Sequence, residues 1–379
     1  MKNIFVLLLT LCGIVGILIY PEVSCDSAEQ AIEMCLTVLV PTLFPFLVLS
    51  GIFIKCGFAE RLGRLLDRFT KKVFCVGGNC SSAMILGLVS GFPVGAKTVS
   101  SLYKNGACSK VEAERTLAFC NNAGPSFILG TVGVGIWQSG KTGWLLWAVQ
   151  IVSSVFVGII VGRIWKGTAD TVVFVNAKNN IPQKQSVLHI FLSSVTDGAV
   201  SMLYICSFVV FFAVAVSLLL HTGLIPSISA AICKLFPFFE RETVENLLVG
   251  IFEMTTGVSR VGNSAPVLQN LAVTSALIGW AGISVHCQVL SYICDGGLSP
   301  KPYFIGKILQ TAFATALIFI CSFLIPGYKA DILPSSEIPQ ISVYALVCGA
   351  VVAFSLTVLF LLFRSKKQTE KTVKFSRKP

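Results

Sequence analysis

Charge is scarce in this chain. Only 12% of its 379 residues are Asp, Glu, Lys or Arg, about half the quarter share of an ordinary soluble domain, so a soluble globular fold is excluded. Histidine is scarcer still. His189, His221 and His286 are the only three, and none stands at metal-ligand spacing from a cysteine or carboxylate, which argues against a metalloenzyme. The fourteen cysteines include no Cys-x-x-Cys pair. Several of them, among them Cys12, Cys35, Cys206, Cys287 and Cys321, lie inside apolar runs, as buried reduced thiols do. No nucleophile with a base partner can be read, so enzyme chemistry is not expected, and no cofactor is implied.

What is abundant is apolar surface: 54% of the residues are hydrophobic and the mean hydropathy is +0.81. These values predict an all-α polytopic membrane protein, and segment lengths give about eight transmembrane helices plus two re-entrant hairpins. Crossings are expected over 4–20, 31–54, 116–136, 143–162, 195–220, 266–293, 304–325 and 341–363, with hairpins over 81–100 and 246–260. The first run is read as an uncleaved helix because no small-x-small cleavage site follows it. Pro41 and Pro45 kink the second, and Trp144 and Trp147 mark an interface on the fourth.

The formal charge of +11 does not point to nucleic acid, because the basic residues sit in short loops and in the tail after Phe363. That placement is a topology signal. On this layout 24 of the 29 Lys and Arg residues, including the loop 55–72 and the pair Lys301 and Lys307, fall on one side. Lys141, Lys234, Arg241, Arg260 and Lys329 fall on the other, so both termini are expected in the cytoplasm.

The stretch from Leu86 to Gly130 is dense in apolar residues, yet Gly91, Pro93, Gly95, Asn121, Asn122, Gly124, Pro125 and Ser126 interrupt it. At membrane depth an unpaired backbone group costs several kcal/mol, so irregular chain survives only when buried in protein or lining a wet cavity. The breaks come in pairs. Ala123-Gly124-Pro125-Ser126 matches Ala281-Gly282-Ile283-Ser284, each about 25 residues after a short element ending at Gly95 or Gly257. Repeat units are therefore expected over 28–165 and 195–325, joined by a cytoplasmic linker at 166–194. An N-terminal helix (1–27), a C-terminal helix (326–363) and a basic tail (364–379) flank them. Three crossings separate the paired spans, which makes the repeat inverted, the layout of many secondary transporters.

Four motifs carry a resemblance: LVPTLFPFLVLSG at 39–51, GFPVGAK at 91–97, LYKNG with EAERTLAFCNNAGPSFILGTVG at 102–133, and GIFEMTTG at 250–257. Together they resemble the sporulation integral membrane protein YlbJ (SpoVV) family, whose members carry the nucleoside-recognition (Gate) domain and are similar in layout to concentrative nucleoside transporters. The resemblance implies a multi-pass cell-membrane protein of endospore formation, acting at the outer forespore membrane and moving dipicolinic acid from mother cell towards forespore. It also leaves open a nucleoside-like cargo, a non-transporting Gate scaffold or sensor, and a homo-oligomer. The partners expected are a small anionic solute and the bilayer.

Substrate contact is expected from Gly91, Pro93, Gly95, Lys97, Asn121, Asn122, Gly124, Pro125 and Ser126 in the first unit. The second supplies Thr255, Thr256, Gly257, Ser259, Arg260, Gly282 and Ser284, and Asn263 presents similar chemistry. Lys97 also reads as a topology charge; GFPVGAKT is no phosphate loop, because Ala96 stands where that loop needs Gly. Glu253, the one carboxylate placed at membrane depth, is expected to carry a coupling ion, with a salt bridge to Arg260 or Arg115 as the structural alternative. His286 is weighed as a relay against a packing role. Half-helix N-termini at the breaks would bind the anionic groups of a solute.

Overall fold

The computed structural model describes residues 2–165, 186–237, 239–261 and 267–324, and every regular element among them is helical. The expected crossing at 341–363, the basic tail, most of the 166–194 linker and Asn263 lie outside the described residues.

Helix α1 (Lys2–Ile19) leads into α2 (Pro21–Met34), whose first position is taken by a proline that would have no hydrogen-bond partner there in any case. A wide π-type turn at Cys35–Leu39 joins α2 to α3 (Val40–Lys55). Pro41 and Pro45 remove two backbone donors, and the helix widens just ahead of them rather than breaking. The result is one apolar helix of 35 residues, Pro21–Lys55, longer than the crossing expected at 31–54. Amphipathic α4 (Phe58–Val73) carries the basic connector and turns by 93° into α5 (Gly78–Ser90).

After α5 the chain breaks at 91–93, resumes as α6 (Val94–Lys104) and turns into α7 (Lys110–Leu117). A capping box starts α7: Ser109 accepts from Glu112 N–H, and the Glu112 carboxylate accepts from Ser109 N–H. Residues 118–125 are irregular, the wide helix Ser126–Ile136 follows, and α8 (Gly140–Ile164) closes the unit. The second half holds α9 (Val187–His221), α10 (Leu224–Leu235), α11 (Arg241–Phe252), α12 (Met254–Val261), α13 (Val267–Trp280), α14 (Gly282–Asp295) and α15 (Lys301–Leu324). Helix α10, whose twelve residues are too short for a crossing, was not expected. From α5 and from α11 onward the order is the same: helix, tip, helix, helix, break, helix, long helix.

Five helices among the described residues are long and apolar enough to cross a bilayer: Pro21–Lys55, Gly140–Ile164, Val187–His221, Val267–Asp295 and Lys301–Ser322. The bent α4–α5 pair makes a sixth if it counts as one span. The protein is thus an all-helical integral membrane protein. Helix α9 runs antiparallel to α2 and α3. Lys55 at the end of α3 bonds Ser193 and Asp197 of α9, both at 2.7 Å, and Tyr20 meets His221 edge-on at 4.7 Å at the other end. Leu203 and Phe211 of α9 stay exposed, a face for lipid.

The interior is polar in places. Lys307, which the sequence pattern grouped with the cytoplasmic charges, instead lies within α15 and is only 1% exposed. Rather than ending the helix, Lys301 begins it, and Lys307 follows nearly two turns inside.

Candidate functional site

Each tip packs against the break of its own half. Gly91 has φ +76°, and a Cβ there would stand 2.6 Å from the amide nitrogen of Gly124, so only glycine allows this approach. Phe92, joined to Pro93 by a cis peptide, donates its N–H to the Asn122 carbonyl at 2.9 Å. In the second half Gly282 has φ +78°, and a Cβ there would lie 2.9 Å from the Met254 nitrogen. One glycine in positive φ thus seats each tip on its break.

Between these two contacts lies a cavity with about 60 Å³ of water-accessible space. Both tips and the first break reach its wall, and α14, the helix that leaves the second break, joins them there. The first half contributes Ser90, Gly91, Phe92, Gly124, Ser126 and Phe127, and the second Glu253, Met254, Thr255, Ser284, Val285 and Gln288. Leu39, Leu43 and Leu47 with Ile205 and Val209 close the remaining side from α3, its preceding turn and α9.

Glu253 is the tip of the second hairpin and 2% exposed. Its carboxylate accepts from the backbone N–H of Thr255 at 3.0 Å and of Thr256 at 2.6 Å. It therefore caps α12, neutralising two of the donors that every helix start leaves unpaired and sitting at the positive end of the helix dipole. The structural alternative, a salt bridge with Arg260 or Arg115, does not form. Arg260 donates to Asn246 Oδ1 at 3.1 Å, and Arg115 donates to the carbonyls of Trp165 and Cys75 at 2.8 and 2.9 Å.

Of the expected substrate-binding residues, the cavity brings together Gly91, Gly124, Ser126, Thr255 and Ser284, with Glu253 among them. The others stand behind the wall. Asn121 and Asn122 donate to the carbonyls of Leu117 and Phe119 at 3.0 and 2.8 Å, satisfying the frayed end of α7. Pro93 precedes α6, Pro125 precedes the wide helix, and Gly95 faces the Cys120 carbonyl. Thr256 and Ser259 lie along α12, and Gly257 packs on Gly250 of α11, which folds that pair into a hairpin. His286 accepts from or donates to the Tyr303 hydroxyl at 2.7 Å inside an aromatic box of Trp280, Tyr303 and Phe304. It does not reach the cavity wall.

Lys97 belongs to a second, larger cavity of about 380 Å³ between α3, α5, α6 and α9. Lys55, Asp197, Thr98 and Ser101 also line it, and it shares Leu47 and Ser90 with the smaller one. Ser90 Oγ, buried and without a hydrogen-bond partner among the described residues, stands where the two cavities adjoin. Neither Ser90 nor Phe92 was expected from sequence, although both flank the conspicuous Gly91.

A buried polar chain runs behind Phe92. Gln310 Nε2 donates to Asn122 Oδ1 at 2.7 Å and to Gln150 Oε1 at 3.2 Å, while Gln150 Nε2 donates to the Ser275 carbonyl at 2.9 Å. Lys307 donates to Gln310 Oε1 at 3.1 Å and to the Gly279 carbonyl at 3.4 Å. The chain ties α15 and α8 to the break of the first half and to the helix entering the break of the second. The i, i+3 spacing of Lys307 and Gln310 was the available signal, since it puts both on one face of a helix.

Tips and breaks packed around one small cavity mark the candidate site of this integral membrane protein, and residues 36–136 match the nucleoside-recognition (Gate) family. The chain is similar to the sporulation integral membrane protein YlbJ of Bacillus subtilis (strain 168), 28% identical over 318 residues that cover 79% of this chain and 78% of that relative. The resemblance read from the motifs is borne out by both. No solved structure matches the chain.

Proposed function

We propose that this protein is a secondary transporter that moves a small planar dianion, dipicolinate, from mother cell towards forespore during endospore formation. Two inverted Gate-like repeats, eight crossings and two re-entrant hairpins make up the proposed layout. Both termini lie in the cytoplasm, and the membrane is that of the cell or the outer forespore membrane. The observation that carries this is the convergence of both tips, the first break and the helix leaving the second break on one cavity. A scaffold has no need to bring three backbone interruptions, and the helix that leaves a fourth, to one cavity. The matching element order in the two halves and the similarity to a sporulation membrane protein support it.

In this reading solute enters from the 380 Å³ cavity past Lys97, passes Ser90 and Leu47, and reaches the inner cavity. The inner space is far below the ~300–1,000 Å³ of typical ligand pockets, so the tips must part to admit cargo. Glu253 is the proposed coupling group, carrying a proton or a cation. One observation favours a second cargo: among the described residues the charged side chain on the inner wall is a carboxylate, beside Phe92, Phe127 and Gln288, which suits a neutral aromatic solute such as a nucleoside.

Uptake of labelled dipicolinate into proteoliposomes, with unlabelled uridine as competitor, decides between them. Protein-dependent dipicolinate flux that uridine does not block is the expected result. Binding of dipicolinate without flux would replace transport by sensing, and flux of uridine alone would transfer the site to nucleosides.

A further inference from the structure

Lys307 is a buried cation of the interior whose presence neither packing nor capping explains. Its side chain is 1% exposed, its partners are a carbonyl and an amide oxygen, and among the described residues it has no ion-pair partner. Removing an amine this far from water with only neutral acceptors leaves much of its desolvation uncompensated. Ionisable groups inside membrane segments that carry such a cost mark solute or ion paths.

Its position fits that role. The Nζ lies 5.7 Å from the centroid of the Phe92 ring, within the range of a cation–π contact. The same Phe92 lines the inner cavity. One aromatic side chain therefore stands between a buried amine and the space where cargo would sit, and that side chain is carried by the tip of the first hairpin. Through Gln310 and Asn122 the amine is also joined to the backbone that receives the tip, because Asn122 accepts the Phe92 N–H. Displacement of the tip alters the screen and the network together.

We propose that Lys307 is the cation that meets a carboxylate of the solute, screened from the cavity by Phe92 until the first tip moves; this rests on the transport reading above. It supplies what the cavity wall lacks. Glu253 is turned to its own helix and would repel a dianion, whereas Lys307 on the far side of Phe92 offers the compensating charge. When the ring swings aside, the amine exchanges the Gly279 carbonyl, its longer contact at 3.4 Å, for the incoming carboxylate.

The test uses full-length protein in detergent treated with trinitrobenzenesulfonate, an anionic amine reagent, with modification of the Lys307 peptide read by mass spectrometry. In the parent protein Lys97 and Lys301, both exposed, react and Lys307 does not. In Phe92→Ala, Lys307 is expected to react at least tenfold faster, while Phe92→Tyr keeps it protected. A Phe92→Ala protein whose Lys307 stays as unreactive as in the parent overturns the proposal. In proteoliposomes Lys307→Gln is expected to raise the dipicolinate KM at least tenfold at little change in kcat, and Lys307→Arg to restore most of it; unchanged KM in Lys307→Gln also overturns it. Should the parent protein move no dipicolinate, the transport reading fails, and the labelling result still decides whether Lys307 opens onto the cavity.

Discussion

Gly95 and Gly124 look equivalent in sequence, and the structure separates them sharply. A Cβ at Gly95 would stand 2.5 Å from the Cys120 carbonyl oxygen, 3.0 Å from Asn121 Oδ1 and 3.1 Å from the Cys120 carbonyl carbon. Two of these three neighbours are backbone of the irregular 118–125 stretch, which cannot retreat without disturbing the hydrogen bonds of Asn121 and Asn122. At Gly124 the nearest atoms to a new Cβ are 3.4 Å away, ordinary contact. Overpacking of this kind costs about 1–3 kcal/mol, so Gly95→Ala should lower the folded-to-unfolded ratio roughly 5- to 140-fold. Gly124→Ala should stay within about 0.5 kcal/mol of the parent, the usual range for a change that meets no such feature. Heat unfolding in detergent, followed by a thiol-reactive fluorophore, reads the difference directly, because Cys80, Cys108 and Cys120 are buried in the fold. Equal melting of the two variants would refute the close approach at Gly95.

Glu253→Gln keeps the shape but weakens the two hydrogen bonds to α12; a loss of about 0.5–2 kcal/mol, the worth of a helix cap, is expected. Proteoliposome uptake in that variant should lose its dependence on pH or sodium, and normal coupling would make the residue structural. Lys97→Gln should raise the KM for dipicolinate several-fold with kcat preserved, measured in the same vesicles, because it removes a charge at the outer cavity only. Cysteines placed at Lys71 and Lys141 should label from opposite sides of the membrane in intact cells, and labelling of both from outside would overturn the orientation. Lys104 and Asp295 are 44% and 67% exposed, so a double-mutant cycle should find less than about 1 kcal/mol between them.

The helical class and the positions of the breaks were legible because they depend on local chemistry: glycine, proline and asparagine inside apolar runs leave no other backbone solution. Which of those residues would face a common space was not legible. Asn121 and Asn122 repair α7, whereas Ser90 and Phe92 reach the cavity, and only the path of the chain between Gly91 and Gly124 distinguishes them. Lys307 was misassigned for a related reason. Charge counting treats every lysine near a segment end as a loop residue, and Lys301 pulls its neighbour into that class; the companion Gln310 becomes informative only once both are seen on one buried face. The salt bridge weighed as the structural alternative for Glu253 does not form because the residue lies at the start of a helix, where backbone N–H groups donate to its carboxylate instead.

The capping of α12 by Glu253 has a consequence for how tightly cargo is held. A carboxylate fixed to the very chain it caps acts as a tethered competitor with a high effective concentration, on the millimolar scale even for loosely linked groups. Any solute carboxylate that takes over the Thr255 and Thr256 N–H groups must displace this resident one. Its apparent affinity there is lowered accordingly, and its departure is hastened because Glu253 stands ready to reclaim the donors. In the transport reading the site thus contains its own release agent.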